Sequence, residues 1–539
     1  MDFTEAYPDR CSSVGVAARL GDIKSLQQLI ANGSCVDIHD NRGWTPLHEA
    51  ANANHCDCVK ILLEHIEDED DLNVQTWEGE TALFFAAHTG NKEMIEQLIH
   101  HGAKLDICNQ SEIYPLHKAV AGNHKECVEL LLQKRADVNC TQWNGWSSLH
   151  EAAYQGFADI LCILLKSGAK TDVKDDYGIA PVFTAAQYGH LDCLKLLIKH
   201  GSNPNSAASD GATPLYIATQ ENYPECVEYL LEHGASALTP VCTESAVLAP
   251  IHVAADKGHV RCLELLVPKS IEILETVIYG KTEQPHTPMH FAAMKGHTEV
   301  VRALLKAGCD PDFGLKITSE DVKSRCWDIS HLVCSVAMDR KHFDMAKLLL
   351  DSGAVVCSRL GGYCIVRGCE EDVPSLKFLL DYGVDLGCSH MRCVYLPDDL
   401  EYANLLLKSG KRWRFDCLDQ TGFCSQDWIR YSRRRSTWLK MMKLVYNYVD
   451  RLRLCKHNIQ YIQDHRELNE VLELAGKPHT LYHLCRVAIT EHLGTVRATK
   501  IIPKMDFLPK LVRDYLLYED VTLPSTTEIT PPTLGYIIQ

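Results

Sequence analysis

No run of about 18 consecutive apolar residues occurs anywhere in this 539-residue sequence, which argues against a membrane-spanning helix. The opening MDFTEAYPDR carries acid where an export leader would carry a basic patch followed by an apolar core. We therefore expect an intracellular protein, cytoplasmic, with the nucleus left open. Basic residues are also in short supply: 54 Lys and Arg against 71 Asp and Glu leave a net charge of −17. That balance disfavours nucleic acid as the main partner, because phosphate binding needs a basic surface, and it disfavours acidic substrates. There is no Gly-rich phosphate loop, no G-x-S-x-G elbow and no H-E-x-x-H helix, so an enzymatic reading has no residues to rest on. We expect no catalytic residue, no cofactor and no metal site.

Cysteine is not scarce. In a short secreted chain 24 cysteines would signal a disulfide framework, but here they are scattered through a long chain with no export signal, and reduced thiols are expected. The N-x-S/T triplets at Asn32, Asn109 and Asn139 are then chance matches. With 46% hydrophobic residues the chain has apolar material for extensive cores.

That material is periodic. WTPLHEAA at 44 returns as YPLHKAV at 114, SSLHEAA at 147, ATPLYIAT at 212, LAPIHVAA at 248 and HTPMHFAA at 286. The proline slot runs Pro46, Ala82, Pro115, Ser148, Pro181, Pro214, Pro250, Pro288, in steps of 36, 33, 33, 33, 33, 36 and 38. Proline in the first turn of a helix gives up no needed hydrogen bond and has its φ preset. A second helix follows in each unit, as in CVELLLQKRADVN, with leucines on one face and a glycine stop at Gly102, Gly168, Gly201, Gly234, Gly308, Gly353, Gly383 and Gly410.

The T-P-L-H-x-A signature and the period near 33 resemble ankyrin repeats. The resemblance implies an all-α fold, an ankyrin-repeat solenoid of helix-turn-helix units with β-turn fingers. We expect an N-terminal extension over residues 1–11 and an array of eleven or twelve repeats over 12–410, the first lacking T-P-L-H like an end cap and those after about 311 degenerate.

Register disarms two tempting sites. The histidines at 48, 117, 150, 252 and 290 share one slot, which Phe84, Phe183 and Tyr216 fill in other repeats, so they are expected to be structural and not catalytic, and the ankyrin resemblance implies that they are hydrogen-bonded to neighbouring loop backbone. The cluster His55, Cys56, Cys58 looks like half a zinc site, but Cys58 shares its slot with Met94, Cys127, Ile160, Cys193, Cys226, Cys262 and Val300, where cysteine serves as a small hydrophobe. The fingers are more informative. Trp44, Trp77, Trp143, Trp146 and Tyr177 fall at or beside the tips, where they either pack finger on finger or bind a partner protein. The basic run RYSRRRSTWLKMMK, with Arg430, Arg433, Arg434 and Arg435, reads as a solvated helix face within a helical connector at 411–475.

Near the end, Pro478 and Thr480 form a stop-and-cap pair, and Leu481, Cys485 and Ile489 then lie at i, i+4 and i+8 along one helical face. Taken alone, such a stripe reads equally as a helix packed on its own domain. FLPKLVRDYLLYED, starting at 507, places a proline-bounded loop before a further helix. Together residues 476–520 resemble a SOCS box, a small C-terminal helical module, with 521–539 as a tail. In that family the residues matching Leu481, Cys485 and Ile489 insert into the elongin C groove of an elongin B/elongin C pair. The family's L-P-L-P, which selects cullin-5 with its RING protein, corresponds to Asp506, Phe507, Leu508 and Pro509, so only the second Leu-Pro is kept. Leu508, Pro509 and Leu511 are the implied cullin contacts. The order of the two parts matches the ankyrin repeat and SOCS box family. The resemblance implies a non-catalytic receptor subunit of a ubiquitin ligase that holds a target protein with the array. The alternative is an ankyrin scaffold without ligase recruitment.

Overall fold

The computed structural model describes residues 11–312 and 333–382, apart from 67, 243–246, 272–273, 275–277, 280–284, 355–356, 359–362 and 365–371. The expected SOCS-box region, connector and tail, and residues 383–410 of the array, lie outside this set. The chain divides into two units, Met1–Cys309 and Asp310–Gln539.

In the first unit nine helix pairs follow one another among the described residues: Ser13–Leu20 with Ile23–Ala31, Pro46–Asn52 with Cys56–Leu63, and so on to Pro288–Lys295 with Thr298–Lys306. Each first helix packs on the first helix of the next pair, and each second helix on the next second helix, giving two parallel layers. Local sequence sets the helix starts. Thr45, Thr81, Ser147, Thr213 and Thr287 sit in extended backbone at the N-cap position, where a hydroxyl can satisfy an otherwise orphaned N–H. At one of these caps, Thr81 Oγ1 accepts the Phe84 N–H at 3.2 Å. Between the layers lies the core. Cys58, Met94, Cys127, Ile160, Cys193, Cys226, Cys262 and Val300 are all buried, as their shared slot requires. Full burial of Met94, Ile160 or Val300 contributes about 1.5–3 kcal/mol each, and the ladder of slots makes the core continuous from repeat to repeat.

Second helices end where the glycine stops stand, and the residue after each stop returns its N–H to the helix. Ala169, for example, donates to Leu164 C=O at 3.1 Å. Gly168 takes a φ of +88° there. In one repeat the stop is Arg135, held at a φ of +74° in the same left-handed conformation.

A second row of histidines ties neighbouring repeats together. His124, His190, His259 and His297 stand at the N-cap of second helices, and Nε2 of each lies 2.9–3.1 Å from a carbonyl of the preceding repeat: His88, Tyr154, Gln220 and Asp256 respectively. The imidazoles of His124, His190 and His297 also lie against the glycines that end the preceding first helices. A Cβ on Gly156 would stand 2.6 Å from His190 Nδ1.

The fingers are joined edge to edge by backbone hydrogen bonds. Trp77 N–H donates to Arg42 C=O at 3.0 Å, Gln110 to Glu78 at 2.8 Å, Asp176 to Asn144 at 3.0 Å and Ser209 to Tyr177 at 2.8 Å. Among the described residues no such bond joins Trp143 to Ser111. The finger before this gap is also the one with Glu112, at a φ of +55°, in place of the tip glycine. The longer repeat steps are absorbed outside the helices: the first by the short helix Glu69–Leu72, the last two by fingers long enough for two-residue antiparallel hairpins, Val241–Cys242 with Val247–Leu248 and Ile278–Tyr279 with Pro285–His286.

The second unit has a further helix pair, Val333–Asp339 with Phe343–Asp351, and a helix Val373–Tyr382. Phe343 stacks on Phe378 at 5.2 Å, and Tyr382 Oη donates to Asp351 Oδ1 at 2.6 Å. No described helix is long and apolar enough to cross a membrane.

Candidate functional site

The chemistry-bearing side chains of the helices are committed to structure. Thr45 N–H donates to His48 Nδ1 at 3.1 Å, so Nε2 keeps the proton and reaches Val74 C=O at 3.1 Å. His150 repeats this with Ser147 N–H at 3.1 Å and Ile179 C=O at 3.0 Å. Burial pushes His48, His117, His150 and His252 down to about 4, so each is neutral at physiological pH. At His252 the cap residue is Ala249, which has no hydroxyl, and neither ring nitrogen is hydrogen-bonded to a described residue. Burial also pushes the thiols of Cys127, Cys226 and Cys262 up to about 11 and that of Cys193 to about 12, the opposite of what a nucleophile or metal ligand needs.

Among the described residues one group of ligand-type side chains does converge: Cys11, Asp40 and Glu49. Both carboxylates already share one cation, because Arg42 Nη2 donates to Asp40 Oδ2 at 2.6 Å and also to Glu49 Oε1. It is an ion-pair cluster that pins the first finger, with the guanidinium 4.4 Å from the Trp44 ring centroid.

The five finger aromatics divide into two sets. Trp44 and Trp146 occupy the last finger position, just before the N-cap, and turn inward. Trp44 packs 4.6 Å from Phe85, and Trp146 stacks on His150 at 4.9 Å and donates Nε1–H to Glu151 Oε2 at 3.0 Å. Trp77, Trp143 and Tyr177 stand at the tips and are 65%, 67% and 70% exposed. Trp77 keeps one tie, Nε1–H to Asn41 C=O at 3.0 Å on the preceding finger. Two aromatics that sequence reasoning missed, Tyr154 and Tyr188, sit at the ends of first helices in adjacent repeats, partly exposed and in edge contact at 4.6 Å. Their signal was available, since they hold neighbouring positions relative to the repeat register. Large apolar side chains in water are costly unless covered, and among the described residues the tips and this tyrosine pair are exposed apolar surface, as are Leu20, Ile38 and Ile271.

Leu481, Cys485, Ile489, Leu508, Pro509 and Leu511 lie outside the described residues.

A model of ankyrin repeats (3 copies) matches residues 14–109, 83–175, 167–240 and 242–314, together more than half of the chain. Human ankyrin repeat and SOCS box protein 3 is 43% identical over 116 residues, covering 22% of this chain and 22% of that protein. Mouse ankyrin repeat and SOCS box protein 14 is 29% identical over 311 residues, covering 51% of this chain and 50% of that protein. The chain thus spans between about a fifth and a half of these curated relatives. The crystal structure of the human ASB11 ankyrin repeat domain aligns at 28% identity with a TM-score of 0.37, covering 42% of this chain and 98% of that one. Helix pairs stacked in two layers, capped at T-P-L-H and stopped at glycine, together with a family model over more than half of the sequence, establish that the chain belongs to the ankyrin-repeat family.

Proposed function

We propose that this chain is a non-catalytic substrate receptor of an elongin B/elongin C, cullin-RING ubiquitin ligase, acting in the cytoplasm, with the array holding a target protein and residues 476–520 recruiting the ligase. One observation carries the reading: behind an ankyrin array stand Thr480, Leu481, Cys485 and Ile489 in the spacing of a SOCS box. The SOCS box in the names of the two relatives supports it. On this reading the stripe is a helix laid into a hydrophobic groove of elongin C. Burying Leu481 contributes about 1.5–3 kcal/mol, and Cys485 must be small because it faces the groove. Leu508, Pro509 and Leu511 make the cullin-5 contact. Bond-making residues belong to the partners, and the receptor raises the effective concentration of a target lysine near the charged ubiquitin-conjugating enzyme.

The test is co-purification. Leu481→Pro combined with Cys485→Phe should abolish recovery of elongins B and C while the thermal melt of the chain stays unchanged. Undiminished recovery would leave the scaffold reading, in which the tail recruits no ligase.

A further inference from the structure

Five successive fingers, residues 76–80, 109–113, 142–146, 175–179 and 208–212, read TWEGE, NQSEI, QWNGW, DDYGI and ASDGA. They contain no lysine or arginine but six carboxylates: Glu78, Glu80, Glu112, Asp175, Asp176 and Asp210. Asp175 is structural, its Oδ1 accepting the N–H groups of Tyr177 and Ile179 at 3.0 and 2.7 Å. Glu78, Glu112, Asp176 and Asp210 are exposed. Interleaved with them stand the exposed rings of Trp77, Trp143 and Tyr177. Basic groups nearby are occupied: Lys118 Nζ lies 5.3 Å over the Phe84 ring, Lys174 Nζ donates to Ala207 C=O at 2.7 Å, and Arg42 is held by Asp40 and Glu49. Glu80 is pushed above its ordinary range, first by burial and then by Glu78 beside it, while Lys118 acts the other way.

Aromatic faces attract cations, and a planar guanidinium both stacks on a ring and pairs with a carboxylate, which a lysine ammonium does less well. Phosphate backbones would be repelled by this edge. A single metal ion is no alternative occupant, because the four exposed carboxylates Glu78, Glu112, Asp176 and Asp210 stand on separate fingers, and among the described residues no finger carboxylate from 76 to 212 belongs to a convergent group of three ligand-type side chains. We propose that the finger edge from Trp77 to Asp210 is a docking surface for an extended, arginine-bearing segment of a partner protein, its guanidinium groups stacking on Trp77, Trp143 and Tyr177 and pairing with Glu78, Glu112, Asp176 and Asp210.

The register fixes the length of the segment. Trp77 and Trp143 are two fingers apart, about 20 Å if each repeat adds the ~10 Å spacing of packed helices. Extended chain covers this in about six residues, and Tyr177, one finger further on, brings the segment to about nine. The inference deepens the receptor reading by naming the chemistry of the bound protein, and it rests on the array, so either can fail without the other.

The test uses the full-length chain and fluorescein-labelled peptides of about twelve residues, one with arginine at alternate positions and two others with lysine or glutamate in those places. By anisotropy the arginine peptide should bind, the lysine peptide several-fold more weakly and the glutamate peptide not at all, with affinity falling between about 50 and 200 mM salt. Trp143→Ala, at a ring exposed to solvent, should weaken arginine-peptide binding about tenfold, and Glu78→Gln with Asp176→Asn and Asp210→Asn by at least as much. All of these variants should keep wild-type melting and elongin recovery. Equal affinity for the arginine and glutamate peptides, or an arginine peptide indifferent to both sets of substitutions, overturns the inference while leaving the receptor reading intact. Loss of elongins from Leu481→Pro with Cys485→Phe, with peptide binding retained, is the outcome expected when both are correct.

Discussion

Acid should loosen the array well before its carboxylates are neutralised. His48, His117, His150 and His252 are pushed down to about 4 by burial, whereas in an unfolded chain each would titrate near 6.5. Between those values the unfolded state binds protons that the folded state refuses, so stability falls as the pH falls; above about 6.5 the contribution is complete, and below about 4 it is gone. Each histidine represents about 3 kcal/mol over the whole window. At pH of about 5.5 each has lost somewhat over ~1 kcal/mol and the four together on the order of 5–6, comparable with the whole stability of an ordinary domain. Glu80, raised by burial, runs the other way and offsets a small part. Urea denaturation followed by circular dichroism at a series of pH values reads the effect as a falling midpoint. His150→Phe copies what Phe84 and Phe183 already do in other repeats. It should flatten the acid limb by about a quarter, while lowering stability at neutral pH by about 1 kcal/mol because the Ile179 carbonyl loses its partner. A urea midpoint that does not move between neutral pH and pH of about 5 would refute the argument.

Two further predictions concern backbone conformation. Arg135 holds a φ of +74°, where a side chain is strained and glycine is not. Arg135→Gly should therefore stabilise the protein by about 1 kcal/mol; a melting temperature unchanged or lowered counts against it. Gly156 sits at a φ of +78°. A Cβ placed there would crowd the His190 imidazole, so Gly156→Ala should cost about 2 kcal/mol. Hydrogen exchange should then speed up in the second helix of that repeat, Ala158–Lys166, and in Leu191–Lys199 of the next.

Repetition made much of the fold legible. A slot holding Cys58 in one repeat and Ile160 in another declares itself a core position, and a glycine recurring after each leucine-rich helix declares the stop. Substitution between repeats does the work that a set of relatives would do. The second histidine row was harder to read, since His124 and His190 stand among polar cap residues and their carbonyl partners lie 36 positions earlier. Arg135 was invisible as a left-handed residue because nothing in its chemistry prefers that conformation. The division of the finger aromatics follows from position within the finger: a ring just before the N-cap, as at Trp44 and Trp146, reaches the following helix, while one at the tip, as at Trp77 and Trp143, stands mostly in solvent. The tail signature was legible as a pattern of residues, and its role stays with the proposal above.

The missing bond between Trp143 and Ser111 has a mechanical meaning. At the other seams between the fingers at 40–44 and 208–212 the neighbouring tips are stitched, so flexing the edge would break a tip-to-tip hydrogen bond; at that seam flexing breaks no such bond, and the Asp137 N–H to Asp106 Oδ1 bond at 3.1 Å and the helices behind it resist. The edge is therefore two stiff ribbons meeting at a compliant joint, and the joint falls between Trp77 and Trp143. A guest gripping both tryptophans would set the angle at which the ribbons meet.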